Sequence, residues 1–252
     1  MTHPAPTRPD SPWLLRPTPR PAARLTLYCL PHAGGGASAY RAWPTGLPEW
    51  IEVVAVQLPG RENRIRERPA IDLAALAQAV SADHGGAPYA LFGHSNGALL
   101  AFELAHLLGE SGPGPVYLGV SGAPHPALLG ARREVSRLGD RELVDWMVDQ
   151  GGVPEQVSAQ PELLELVLPA LRADLGWLEA YRHRPRTALG CPLSAFAGET
   201  DERVPGDGLT AWSTETAAAF TARRYPGGHF YLTDGLPVLL RDMVEDLSGL
   251  RY

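Results

Sequence analysis

Beyond residue 24 the chain is built from short apolar runs that each stop at a glycine or proline. Leu25–Leu30 (LTLYCL) ends at Pro31 and a glycine cluster, Val53–Gln57 at Leu58-Pro59-Gly60, Tyr89–Phe92 at Gly93, and Val116–Val120 at Ser121-Gly122. Leu193–Ala197 and Thr221–Tyr225 follow late in the chain. Runs this short, apolar without alternation, are the pattern of strands covered on both faces, as in a parallel sheet. Between them Asp72–Val80, Ala98–Leu108 and Leu236–Leu247 carry helical periodicity. The alternation predicts an α/β fold whose sheet is mostly parallel and doubly wound.

The rhythm breaks once. Pro126–Arg184 has no strand signal but holds two amphipathic helical stretches, Arg141–Asp149 and Pro161–Tyr181. Helices inserted before the penultimate strand read as a lid over the carboxyl edge of the sheet, where open α/β sheets bind ligands. Residues 1–23, with seven prolines and no apolar core segment, read as an irregular arm and not as a signal peptide. Residues 24–252 are then a single domain carrying the lid. No apolar run approaches the roughly 18 residues of a membrane helix.

Composition narrows the chemistry. All 22 basic residues are arginine, against 28 acidic ones, for a net charge of −6. Without lysine there is no Schiff-base amine, no phosphate-loop lysine and no Ser–Lys dyad. Net negative charge without a basic tract argues against nucleic acid as the partner. Two cysteines, Cys29 and Cys191, are too few for a zinc ribbon or a disulfide framework. They are expected as buried thiols in a reducing cytoplasm.

Gly93-His94-Ser95-Asn96-Gly97 lies between an apolar run and a helical pattern. A G-x-S-x-G at a strand-to-helix turn is the setting of a nucleophile elbow, in which Ser95 stands at a helix N-terminus between two small neighbours. Such a serine needs a base, and the base a carboxylate, in the chain order Ser, Asp or Glu, His. His229, in Gly227-Gly228-His229-Phe230 after the last strand, and Asp201, in GETDERV after the one before, fit that order. Glu199, Glu202 and Asp207 crowd the same loop. His94 is expected to point away from the nucleophile, and His32 to line the site. His3, His84, His106, His125 and His183 read as structural or exposed, and no cluster has metal-ligand spacing.

Pro31-His32-Ala33-Gly34-Gly35-Gly36 puts close-approach backbone after the first strand. The backbone N–H groups of Ala33 and Asn96 are the candidate oxyanion donors. The glycines also fit a dinucleotide fingerprint, which wants an acidic residue after the second strand where this chain has Gln57. The next loop, RENRIRER, holds Arg61, Arg64, Arg66 and Arg68 with two glutamates. It is either a solvated mixed-charge loop or a surface meeting a phosphate or an acidic partner.

Together LPHAGGGASAY, VQLPGRENR, LFGHSNGALLAFELA, LRADLGWLEAYR, GETDERV and PGGHFYL, in register from about Arg24 to Leu247, resemble type II thioesterases. These are stand-alone α/β-hydrolases accompanying polyketide and nonribosomal peptide synthases. The resemblance implies a serine thioesterase with Ser95, Asp201 and His229 as its triad and the helical insert as its lid. It implies no cofactor, because the substrate carries the phosphopantetheine, and a role removing stalled or misprimed acyl groups from acyl or peptidyl carrier protein domains. Small acyl thioesters, a cytoplasmic monomer, and Arg61 and Arg64 (with His32) as substrate or carrier contacts complete the expectation. Asn96 departs from the family, which usually has methionine after the serine. A general esterase, a product-releasing thioesterase or acyltransferase, and a binding-only scaffold are the competing readings. Of these the product-releasing enzymes usually end a multidomain chain, whereas this sequence reads as a free protein.

Overall fold

All six expected strands form in the computed structural model, which describes residues 11–129, 134–151 and 160–250. In chain order the elements are β1 (Leu14–Leu15), β2 (Leu25–Leu30), β3 (Ile51–Val56), α1 (Leu73–His84), β4 (Tyr89–His94), α2 (Asn96–Ser111) and β5 (Tyr117–Ser121). The lid helices α3 (Asp140–Asp149) and α4 (Pro161–Ala180) follow, then β6 (Leu193–Gly198), α5 (Gly206–Thr210), β7 (Phe220–Tyr225) and α6 (Leu232–Ser248). The sheet order is β1-β3-β2-β4-β5-β6-β7, parallel except for β1.

Successive side chains of the central strands enter opposite cores, which is why the runs are apolar without alternation. Leu27, Cys29, Val53 and Ala55 meet Tyr40, Trp43 and the α6 residues Leu239, Leu240 and Met243 on one face. Tyr28, Leu30, Val54 and Val56 meet Leu76 and Val80 of α1 and Leu99 and Phe102 of α2 on the other. Full burial of each large side chain is worth about 1.5–3 kcal/mol. Helix α1 starts where the Asp72 carboxylate accepts from the Ala75 N–H at 2.9 Å and stops at Gly85, whose φ of 56° is left-handed. Both cysteines are free and buried.

The proline-rich segment departs from the irregular arm expected of it. Met1–Asp10 lies outside the described residues, but Leu14 and Leu15 pair antiparallel with Val56 and Ala55. Arg16 then bonds Asp83 at 2.7 and 2.8 Å and Glu52 at 3.2 Å, and Arg20 donates to the carbonyls of Pro44, Leu47, Pro48 and Ile51. Prolines exclude long strands but tolerate a short edge strand, and two arginines anchor this one.

The insert between β5 and β6 packs around its own small core, in which Leu143 and Met147 of α3 meet Leu168, Leu171 and Leu175 of α4. Its residues 130–133 and 152–159 lie outside the described ones.

Candidate active site

Strand β4 runs straight into α2 through Ser95, which takes φ 57° and ψ −118°. Positive φ costs a non-glycine residue, and it is held here by crowding. The Ser95 N–H donates to the Ser121 carbonyl at 2.7 Å. A Cβ at Gly93 would run into the Gly97 carbonyl, and one at Gly97 into the carbonyl of Leu30. That is the physical reason for glycine on both sides of the serine.

His229 stands on the loop after β7. Its Nε2 lies 2.9 Å from Ser95 Oγ and its Nδ1 2.8 Å from Asp201 Oδ2. The three expected residues therefore form one hydrogen-bonded chain, drawn from three loops at the same sheet edge. The loops are fastened to each other: Thr200 N–H donates to the Gly227 carbonyl at 3.0 Å, and Arg224 spans the Gly198 and Val204 carbonyls. The Asp201 side chain is 1% exposed. Burial pushes the His229 pKa below its ordinary 6.5; the bond to Asp201 raises it and the charge of Arg203 lowers it further. The imidazole is thus neutral at pH 7, as a base must be.

His32, His94 and Phe230 pack around it. The His94 ring lies 5.0 Å from His229, with Nδ1 2.9 Å from Ser121 Oγ, which in turn is 2.7 Å from the Tyr231 hydroxyl. Burial depresses both extra histidines, His32 to about 4. His94 makes no hydrogen bond to Ser95 but is much nearer the site than its place in the elbow suggests.

Ser95 opens into a cavity of about 360 Å³ under the lid. Ala33, Asn96 and His32 line it at the serine, and Leu99, Leu171, Leu175, Trp146 and Met147 along its length. The residues expected to give the oxyanion donors, Ala33 and Asn96, thus line the same cavity as Ser95.

Arg61 and Arg64 are not docking residues. Arg61 is 4% exposed; its guanidinium grips Asp174 of α4 at 2.6 and 2.9 Å and the Gly35 carbonyl at 2.9 Å. Asp174 Oδ2 also accepts from the Gly34 N–H at 2.8 Å. Arg64 is 7% exposed, paired with Glu67, bonded to the Gln57 carbonyl and stacked 4.4 Å from the Trp13 ring centroid. Both are internal braces, while Arg66 and Arg68 remain exposed. Gln57, which weakened the dinucleotide reading, holds the glycine loop: its side-chain Oε1 accepts from the Ala37 N–H at 2.8 Å and its side-chain Nε2 donates to Asn63 and Glu62. Asp174 is not legible in the sequence: it follows Arg172 in the amphipathic stretch LRADLGW, where an acid beside a base has the pattern of a solvated helix face.

His125, His183 and Glu215 converge from distant segments, with potential ligand atoms within 4.8 Å of one another. Spacing along the chain could not show this. The His125 Nδ1 accepts the Ala127 N–H, so its proton sits on Nε2 and donates to Glu215 at 2.7 Å. A metal there would have to displace that proton, so the geometry favours a hydrogen-bonded pair.

A model of the thioesterase domain matches residues 25–247. The chain belongs to the thioesterase family. Gramicidin S biosynthesis protein GrsT of Aneurinibacillus migulanus is 36% identical over 93% of each chain, and thioesterase PikA5 of Streptomyces venezuelae 38% over 95% of this chain and 86% of that one. Among solved structures, the type II thioesterase BorB from the borrelidin biosynthetic cluster superposes with TM-score 0.84 at 39% identity, covering 92% of this chain and 96% of that one. RedJ, a thioesterase from the prodiginine pathway of Streptomyces coelicolor, gives 0.81 at 38%, covering 95% and 91%. The likeness therefore runs across nearly the whole chain, including the segments that carry Ser95, Asp201 and His229.

Proposed function

We propose that the chain is a serine thioesterase that hydrolyses acyl thioesters from the phosphopantetheine arms of carrier protein domains, clearing stalled or misprimed acyl groups from a polyketide or nonribosomal peptide synthase. The observation that carries this reading is the Ser95–His229–Asp201 hydrogen-bond chain at the floor of an apolar cavity under the lid. Relatives from such biosynthetic pathways support the substrate class.

His229 Nε2 takes the Ser95 proton as Oγ attacks the thioester carbonyl, and Asp201 holds Nδ1–H and stabilises the imidazolium. Oxyanion charge falls to the backbone N–H groups of Ala33 and Asn96, each worth about 2.7–4 kcal/mol at such a site. His229 returns the proton to the departing thiolate, then activates the water that cleaves the acyl-serine. Unbridged Cys29 and Cys191 support action in a reducing cytoplasm, and we read the active unit as a monomer. Among the described residues no helix is long and apolar enough to cross a membrane.

Mass spectrometry after fluorophosphonate treatment should find the label on Ser95; a label elsewhere, or none, overturns the serine mechanism. Hydrolysis rates on acylated carrier protein, acyl-CoA and nitrophenyl esters test the substrate. Preference for the oxygen ester, with indifference to carrier protein, would make the chain a general esterase.

A further inference from the structure

The cavity wall is apolar along most of its length, yet it contains a cation. Arg203, two residues after Asp201, lines the cavity with its guanidinium 5.7 Å from the Trp146 ring centroid. Its Nε donates to Gln150 Oε1 at 2.8 Å and its Nη2 to the same oxygen. Among the described residues no carboxylate lies within ion-pair distance of it. Asp201, whose charge acts on Arg203, spends one oxygen on His229 and the other on the backbone N–H of Arg203, and the adjacent Glu202 is exposed. Glu179 shares the cavity, but its oxygens accept from the Ser136 N–H and hydroxyl, at 2.9 and 2.5 Å. A guanidinium keeps its proton at ordinary pH, and among the described residues this largely buried charge is answered by a neutral amide, a ring face and, beyond ion-pair distance, the charge of Asp201.

The same charge works against the chemistry. Arg203 lowers the proton affinity of His229, and also of His32 and His94 behind it. With a neutral acyl group in the cavity, the imidazolium that forms when Ser95 gives up its proton is opposed by a fixed cation nearby. A carboxylate placed against Arg203 removes both costs, pairing the guanidinium bidentately and cancelling its field at His229.

We propose that Arg203 is a specificity residue that receives a carboxylate at the far end of the acyl group, so that the preferred substrates are thioesters of dicarboxylic acids. Gln150 fixes the guanidinium by its carbonyl alone, and Trp146 supports the planar fork from the side. This deepens the thioesterase reading and rests on it.

The test uses the full chain and two matched series of pantetheine thioesters, succinyl, glutaryl and adipyl against butyryl, valeryl and hexanoyl. At one chain length or more, the wild type should show kcat/KM at least about tenfold higher for the carboxylated member, the range of a hydrogen bond to a charged group. Arg203→Gln should remove that preference, and Arg203→Lys, which keeps the charge but not the fork, should keep part of it. The kcat profile, which reports the bound complex, should have its acidic limb at higher pH for the carboxylated substrate than for its neutral partner; the displacement should vanish in Arg203→Gln. Asp201, His94, His32 and Arg203 are the titratable or charged groups around His229, and only Arg203 changes between the two enzymes. Neutral thioesters hydrolysed at least as fast as carboxylated ones at every length overturn the proposal and leave the thioesterase reading standing. So does a preference that survives both substitutions. Hydrolysis of no thioester at all overturns both.

Discussion

Two carboxylates flank Ser95, each on a side chain 1% exposed, and they do opposite jobs. Asp201 sits on the sheet side, where its partner is the neutral imidazole of His229, the base in the proposed mechanism. Asp174 sits on the lid side, where its partners are the permanent charge of Arg61 and the backbone N–H of Gly34. In the proposed mechanism the first carboxylate holds a moving proton in register. The second holds a loop still: a run of glycines has no side chains with which to fix itself, so the lid reaches in and fixes it. The contrast teaches that burial of an acid near a nucleophile does not make it catalytic; the identity of its partner decides.

The two should therefore fail differently. Asp201→Asn keeps shape but favours the wrong tautomer of His229, and kcat should fall by about 10⁴-fold with the melting temperature nearly unchanged. Loss of stability without loss of rate would reverse the assignment. Asp174→Asn leaves Arg61 buried without its countercharge, a loss of about 3–5 kcal/mol that denaturant titration would register. Because the loop bearing Ala33 is displaced and not removed, kcat should fall by no more than about 10²-fold. An unperturbed unfolding midpoint would show that Asp174 is not the brace described here.

Proton linkage gives the third test. His32, His94 and His229 are held neutral by burial, with pKa values below those of the unfolded chain. As pH falls from 6.5 towards 4, the unfolded state binds protons first, so stability on the Asp201 side is present above 6.5 and lost on acidification. Thermal melts across that window should show the decline, and His32→Asn should make it shallower. The positive charge of Arg61 also lowers the proton affinity of His32, so Arg61→Met should make the decline shallower as well, by less than His32→Asn.

The smallest effect concerns the outer surface. With Arg61 and Arg64 committed to internal bonds, Arg66 and Arg68 are what remains of that loop for an acidic carrier protein. Replacing both with serine should raise KM for an acylated carrier protein a fewfold, more so at low salt, while sparing a short acyl-pantetheine. Equal rises for both substrates would exclude the loop as a docking surface.

The strands and the elbow were readable because they are local: an apolar run, a stop and a glycine on each side of a serine obey sterics within a few residues. Asp201 and His229 were readable because chain order constrains which loops reach the same edge. Arg61 and Asp174 were not, since they stand 113 residues apart and each alone resembles a solvated charge. The arm misled for a related reason. Its prolines exclude regular structure over any length, but two leucines suffice to pair with β3, and nothing in the local pattern shows that Glu52 and Asp83 are waiting for Arg16.

That two-residue strand has a consequence for the molecule in solution. It seats a proline-bounded segment along β3, so on that side the sheet presents no continuous row of free amides and carbonyls to another chain. Its Arg16 also pairs with two buried acids, Glu52 and Asp83. A protein trimmed to begin at Arg24 would lose an edge guard and two charge clamps together, and would be expected to self-associate through β3 before it lost its catalytic centre.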